Sequence, residues 1–264
     1  MQTRPQRVFI TGASSGLGAA LARHYAQTGA LLGLVARRGE VLETLAAELP
    51  NGARHCLYAL DVNRHDALRA AAEDFMAQAG GIDIVIASAG ISRGTLTECT
   101  EDLDVFARIL DTNVMATAAT FSPFIEPMRQ QARAGHGGCR LVGIASVAGI
   151  RGLPGAGAYS ASKAAVISYC ESLRVELKKD GIEVVTIAPG YIDTPMTQVN
   201  DYAMPFLMPA ADFARQAAAV IEAGKSYRVI PWQMGVVARL LRLLPNWLYD
   251  AAFANAPRKT RAPD

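Results

Sequence analysis

Cysteine is scarce in this chain: Cys56, Cys99, Cys139 and Cys170 are the four in 264 residues, and none form a CxxC pair. That scatter offers neither a zinc ligand set nor a disulfide framework, and reduced thiols of a cytosolic protein are the expected state. An excess of one charge is missing too. The formal net charge is +2, so nothing implies nucleic acid or another polyanion as partner. Uncharged apolar runs stay below the ~18 residues that a membrane-spanning helix needs. The opening MQTRPQRVFIT passes from a polar lead straight into a strand-like run. It lacks the apolar segment of a secretory signal. Breaks in composition are absent as well, so one domain is expected over residues 1–264.

What is present is a regular alternation. Apolar strand-like runs at Arg7–Thr11, Leu31–Arg37, Arg54–Leu60, Ile82–Ala87, Arg140–Ala145, Glu183–Ala188 and Tyr227–Ile230 are separated by stretches of helical character. These are Gly16–Thr28, Gly39–Leu49, His65–Ala79, a long one at about Glu101–Arg133, Ala156–Asp180 and Asp212–Ala223. Strands alternating with helices of this length predict an α/β fold: a doubly wound, mainly parallel seven-stranded sheet with helices on both faces. With 51 % hydrophobic residues the chain can build a sizeable core. The core is expected over residues 6–230 and an apolar extension over 231–256. The polar, basic stretch Pro257–Asp264 is expected to be disordered.

Between the first strand and first helix lies Thr11-Gly12-Ala13-Ser14-Ser15-Gly16-Leu17-Gly18. Glycines there permit a tight turn and close approach of a pyrophosphate, and the helix N-terminus supplies free N–H groups. An ordinary strand-to-helix turn is the alternative. The second strand ends in Arg37-Arg38, where NAD-binding versions of this arrangement carry an acid. Guanidinium groups match a 2′-phosphate, which predicts NADP(H) over NAD(H). Arg37 is the first choice, with Ser14 as helper; a solvated basic pair is the alternative. Asp61-Val62, after the third strand, can accept from an adenine amino group or start a helix as its N-cap.

Tyr159 and Lys163 stand four apart on a helix and so share a face. An ammonium beside a phenol is expected to lower its pKa towards the range useful for proton exchange. A lone tyrosine and lysine with that spacing can equally be surface residues. Together the motifs TGASSGLG at Thr11–Gly18, SAG at Ser88–Gly90, Asn113, Ser146, YSASK at Tyr159–Lys163 and PGYIDT at Pro189–Thr194 resemble the short-chain dehydrogenase/reductase family in its compact form. The likeness covers roughly Arg7–Ile230. Ala87-Ser88 departs from the pair of asparagines common there, and Gln131–Gly138 reads as an added surface loop.

The resemblance implies an oxidoreductase that passes hydride between a nicotinamide cofactor and a carbonyl or secondary alcohol. It assigns Ser146 to the substrate oxygen, Tyr159 to the proton, Lys163 to the ribose hydroxyls, and Asn113 to a water linking Lys163 to solvent. Ala89, Gly90, Pro189, Gly190, Ile192 and Thr194 would line the cofactor. No metal is implied. It also implies a homodimer or homotetramer built on the long helix and the Tyr159 helix. A non-catalytic dinucleotide sensor is the competing class, and a dehydratase or epimerase on the same scaffold a further one.

Specificity is expected in Ile91–Leu96, Ile150–Gly157 and Tyr191–Pro209. In the last, Met196, Met204, Phe206, Leu207 and Met208 suggest an apolar pocket for a bulky or hydrophobic substrate, or ordinary lid packing. In the extension, Val236–Leu244 is apolar with Arg239 and Arg242 on it, and Pro245 interrupts before Trp247, Leu248 and Phe253. The leucines are expected to bury and the arginines to project, with the segment docked near the Tyr191–Pro209 lid. A membrane surface is the alternative contact, and a plain surface helix a third.

Overall fold

The computed structural model describes residues 4–256, 258, 259 and 261. β1 (Arg7–Thr11), α1 (Gly16–Gln27), β2 (Leu31–Ala36), α2 (Gly39–Glu48), β3 (Cys56–Ala59), α3 (His65–Ala79) and β4 (Ile84–Ala87) alternate as the pattern predicts. α4 (Asp102–Leu110) and α5 (Ala116–Arg133) follow, then β5 (Arg140–Ile144), α6 (Gly157–Leu177) and β6 (Glu183–Pro189). A lid holds β7 (Ile192–Asp193), α7 (Pro195–Gln198) and β8 (Met208–Pro209). The chain continues through α8 (Ala210–Glu222), β9 (Tyr227–Ile230), α9 (Trp232–Leu243) and α10 (Asn246–Phe253).

Seven strands form one sheet in the order β3-β2-β1-β4-β5-β6-β9, and every pairing is parallel. Continuous apolar strands such as RVFIT and IVIA are buried along their whole length, because helices cover both faces. Leu21, Leu42 and Phe213 pack against one face. Phe75, Phe124 and Val166 pack against the other. At the N-terminal edge of the strands Arg7 grips Asp83 through its own backbone N–H and guanidinium, at 2.9 and 2.8 Å. The strand order reverses between β1 and β4, so the crevice beyond their C-terminal ends is the place where this architecture binds ligands.

The long helix differs from the expectation. It is α4 and α5 joined by a π-helical turn at Asp111–Met115. Such a turn displaces hydrogen-bonding groups from the regular ladder, and it centres on the wholly buried Asn113. Thr117 and Thr120 donate their hydroxyls to the carbonyls of Asn113 and Ala116, which takes up acceptors near the turn. The supposed loop at Gln131 is also shorter. Gln131 lies in α5, and its amide bridges the N–H and carbonyl of Ile82 at 2.8 and 2.6 Å. The exposed connection begins at Ala134.

Candidate active site

Beyond the ends of β1 and β4 lies a cleft of about 620 Å³. Apart from Asn113, each residue assigned above to cofactor or catalysis lines it. At one end is the glycine turn. Gly12 has φ +71°, and a Cβ there would stand 2.7 Å from Cα of Ala89. A Cβ on Gly18 would meet the Gly12 carbonyl oxygen at 2.2 Å. Both positions therefore need glycine, one for its backbone and both for close approach. Ser15 is the N-cap residue of α1, yet its side chain makes no capping bond. The first N–H groups of a twelve-residue helix are thus left for an anion.

Arg37 and Arg38 are both exposed at the mouth of this end. Arg38, rather than the expected Arg37, reaches Ser14, with Nη2 3.4 Å from its hydroxyl. Asp61 is not a helix cap: Arg64 is the N-cap residue of α3, and Asp61 Oδ1 accepts the N–H of Asn63 at 2.9 Å in a tight turn. This turn holds Asp61 and Val62 at the cleft wall. Ser88 lines the cleft, and the N–H of Ala89 is instead taken by the Thr11 hydroxyl, at 3.4 Å. These features fit a dinucleotide: a cradle with no room for side chains, a free helix end and flanking cations.

The catalytic candidates meet at the other end. Ser146 follows β5, accepts the Ala148 N–H at 3.2 Å, and lies beside Tyr159 in the cleft. Lys163 is 6 % exposed and donates from Nζ to the Ile144 carbonyl at 2.8 Å. An ammonium has three donors, so two remain for groups in the cleft. Burial lowers the Lys163 pKa to about 8. The expectation for Tyr159 is corrected: burial pushes its phenol up, against the opposing influence of the Ser146 hydroxyl. The ammonium sits 5.8 Å from the ring centre and points past it towards Ile144.

Asn113 stands behind this group. Its amide donates to the Ile91 carbonyl at 3.0 Å and to the Ser162 hydroxyl at 2.9 Å, and Oδ1 accepts the Ile91 N–H at 2.8 Å. It ties the π turn, the loop after β4 and the helix of Lys163 into one frame. On the cofactor side of the lid, Thr194 caps α7 through a reciprocal pair with Thr197, and Ile192 pairs with Met208 in the short β7–β8 ladder.

The lid does not form the methionine-lined pocket that the sequence suggested. Phe206 and Leu207 are exposed, and Met208 packs against the core. Met196 lines the cleft. The Tyr191 and Tyr202 rings of the lid meet edge-on at 6.4 Å. Tyr202 did not stand out in the sequence, because an isolated tyrosine in a loop carries no periodicity.

The extension docks on the Ile150–Gly157 loop rather than on the lid. Arg151 donates to the carbonyls of Leu241 and Leu244, and stacks over the Tyr249 ring at 3.9 Å. Tyr249 donates its hydroxyl to the Gly152 carbonyl. The arginines project as expected and Leu241 and Leu244 are half-buried, but Leu240 and Leu243 do not bury. Met234, Gly235 and Ala238 are buried, while Trp232, Leu240, Leu243 and Trp247 are 63 %, 60 %, 80 % and 72 % exposed. Gly235 faces Val229, so the docking face is built of small residues that let α9 lie close to β9. Within the supposedly disordered tail, Arg258, Lys259 and Arg261 make defined contacts; its other residues lie outside the described set.

The family model for short chain dehydrogenases matches residues 6–204. An uncharacterized oxidoreductase of Myxococcus xanthus is 40 % identical over 245 residues, 92 % of this chain and 94 % of that one. A 3-oxoacyl-acyl-carrier-protein reductase of Chlamydia muridarum is 34 % identical over 72 % of this chain and 75 % of its own. Among solved structures, a 3-ketoacyl-acyl-carrier-protein reductase of Brucella melitensis complexed with NADH superposes with a TM-score of 0.78. It is 26 % identical and covers 85 % of this chain and 96 % of its own. The chain belongs to the short-chain dehydrogenase family.

Proposed function

We propose that this short-chain dehydrogenase is an NADPH-dependent reductase of carbonyl compounds, with the reverse alcohol oxidation open to the same site. The observation that carries the reading is the meeting of Ser146, Tyr159 and Lys163 at one end of a cleft whose other end is the glycine cradle. The cofactor, when bound, supplies or accepts the hydride. The protein does the rest. Ser146 and Tyr159 present two hydroxyls to one substrate oxygen, where negative charge grows as the carbonyl is reduced. Tyr159 Oη gives that oxygen its proton. The two free donors of Lys163 would hold ribose hydroxyls of the cofactor, and its positive charge would favour the phenolate left behind. Asn113 is a positioning residue, and a water on its carbonyl would refill the proton from solvent.

The preference for NADPH rests on Arg37 and Arg38 and on the missing acid after β2. The Brucella structure holds NADH, so the fold alone does not choose. A substrate with some bulk suits a cleft of about 620 Å³ with Met196 on its wall. We further place the enzyme in the cytoplasm as a homodimer or homotetramer through the α4–α5 region and α6. Exposed Leu103, Met115 and Val175 on those elements support this. Among the described residues no helix is long and apolar enough to cross a membrane, and the exposed face of α9 and α10 is the surface suited to a peripheral contact.

The test is Tyr159→Phe, which removes one hydroxyl and keeps the ring. NADPH oxidation with a panel of ketones and aldehydes should fall by roughly 10²–10⁴-fold, while NADPH affinity by fluorescence stays within about twofold, since the phenyl ring is kept. Rates near those of the parent would overturn the assignment.

A further inference from the structure

After α10 the chain crosses the mouth of the site. Arg258 packs on Gly155, where a Cβ would stand 2.9 Å from it. Arg261 is fixed at the far side by a two-pronged ion pair, Nε to Asp102 Oδ2 at 2.8 Å and Nη2 to Oδ1 at 3.2 Å, with Glu101 also at 3.2 Å. Asp102 is itself held by the Leu96 N–H at 2.7 Å, and the Arg261 hydrogen bond keeps its carboxyl below the usual range. Between these anchors sits Lys259. Its ammonium donates to the Ser92 hydroxyl at 2.9 Å and lies 5.9 Å from the centre of the Tyr159 ring.

Lys259 is in an unusual electrostatic position. Its hydrogen-bond partner is neutral, it is half-buried, and the nearby charge is that of Arg93, another cation lining the cleft. Burial first, and Arg93 second, push its pKa down. Among the described residues neither Lys259 nor Arg93 has a carboxylate partner. A part-buried ammonium with a neutral partner and a second cation on the same cleft is disfavoured in its charged form, and a bound anion would relieve that cost. Cofactor phosphates belong at the glycine cradle, the opposite end from Tyr159. The oxyanion that fits here is on the substrate.

Building on the reductase reading above, we propose that Lys259 and Arg93 select carbonyl substrates carrying an oxyanion, a carboxylate or phosphate, beside the reacting group. Lys259 is then a specificity residue delivered by the C-terminal strap. It acts by holding the substrate, leaving the proton to Tyr159.

The test uses probes differing in charge. Acetoacetate and its methyl ester are titrated calorimetrically into the full chain with excess NADP+, a combination that cannot turn over. Acetoacetate should bind at least about tenfold tighter, a size common for a partly desolvated charge pair. Lys259→Met should erase the preference, Lys259→Arg should keep most of it, and Arg261→Ala should weaken it from outside the site by unseating the strap. Dihydroxyacetone phosphate against dihydroxyacetone distinguishes phosphate from carboxylate. Absence of a charge preference in both pairs, or a preference that survives Lys259→Met, overturns the proposal. Failure of the reductase reading looks different: the bound keto acid would leave NADPH unconsumed.

Discussion

Replacing Lys163 by Met should change how stability depends on pH, as well as ending turnover. The ammonium is 6 % exposed and its pKa is lowered from 10.5 to about 8 by burial. In the unfolded chain it titrates at its ordinary value, so between pH 8 and 10.5 the unfolded state binds more protons than the folded one. Stability must rise with pH across that window. Below pH 8 the charged lysine carries its full burial cost, about 3 kcal/mol for this displacement. Above pH 10.5 the cost is gone. Between pH 7 and pH 10 the parent should gain roughly 2 kcal/mol relative to Lys163→Met, which has no proton to lose. Urea unfolding of both proteins at the two pH values measures this. The double difference removes the other groups that titrate in the same range. It also removes the pH-independent loss of the Ile144 hydrogen bond. A difference that stays flat, or that favours the variant as pH rises, would refute the buried-ammonium reasoning.

Two further outcomes follow from contacts seen in the structure. Arg38→Asp should lower the ratio of kcat/KM for NADPH over NADH by at least about tenfold, through repulsion of the 2′-phosphate. Since Arg38 meets Ser14, it should do so more than Arg37→Asp; steady-state kinetics with both cofactors decides. Arg151→Ala removes bonds to two carbonyls and the stacking on Tyr249, at a cost of about 1–3 kcal/mol. Hydrogen exchange should then quicken in α9 and α10 while β1 and β4 stay protected; unchanged exchange would show that the clamp is not what holds them.

The sheet was legible because its signal is a period: apolar strands and helical stretches alternate without interruption. The cofactor end was legible because its chemistry needs glycine at particular places, as the close approach of Gly12 to Ala89 makes plain. What could not be read there was which arginine turns inward, since Arg37 and Arg38 differ only in the direction the backbone gives them. The π turn at Asn113 was hidden because i→i+5 bonding leaves no mark in composition. The lid misled for a related reason. Five apolar side chains in a loop indicate burial, but not whether they bury against ligand, core or nothing, and Met208 and Phe206 took different courses. Lys259 was out of reach, because its meaning comes from Ser92, a residue 167 positions away in the chain.

The extension shows how a correct premise can give the wrong face. A helix carrying many leucines is expected to bury them, but α9 must lie against β9 where Val229 already fills the space. Small residues, Gly235 and Ala238, allow that approach, and Leu240 and Leu243 are left outside. Apolar burial on these helices is confined to a few residues such as Met234, Ala238 and Tyr249. The work falls to polar contacts: the Arg151 clamp on the end of α9, the Tyr249 hydroxyl on Gly152, and the Arg261 pair with Asp102. Each can open without disturbing the sheet, so this region belongs to the low end of local stability. Lys259 is carried on the same segment and reaches Tyr159 only while the segment is docked. A ligand that pairs with Lys259 binds the docked state alone, and by linkage must favour docking to the extent that docking favours the ligand. Selection of an anionic substrate and closure of the mouth over it are then one equilibrium.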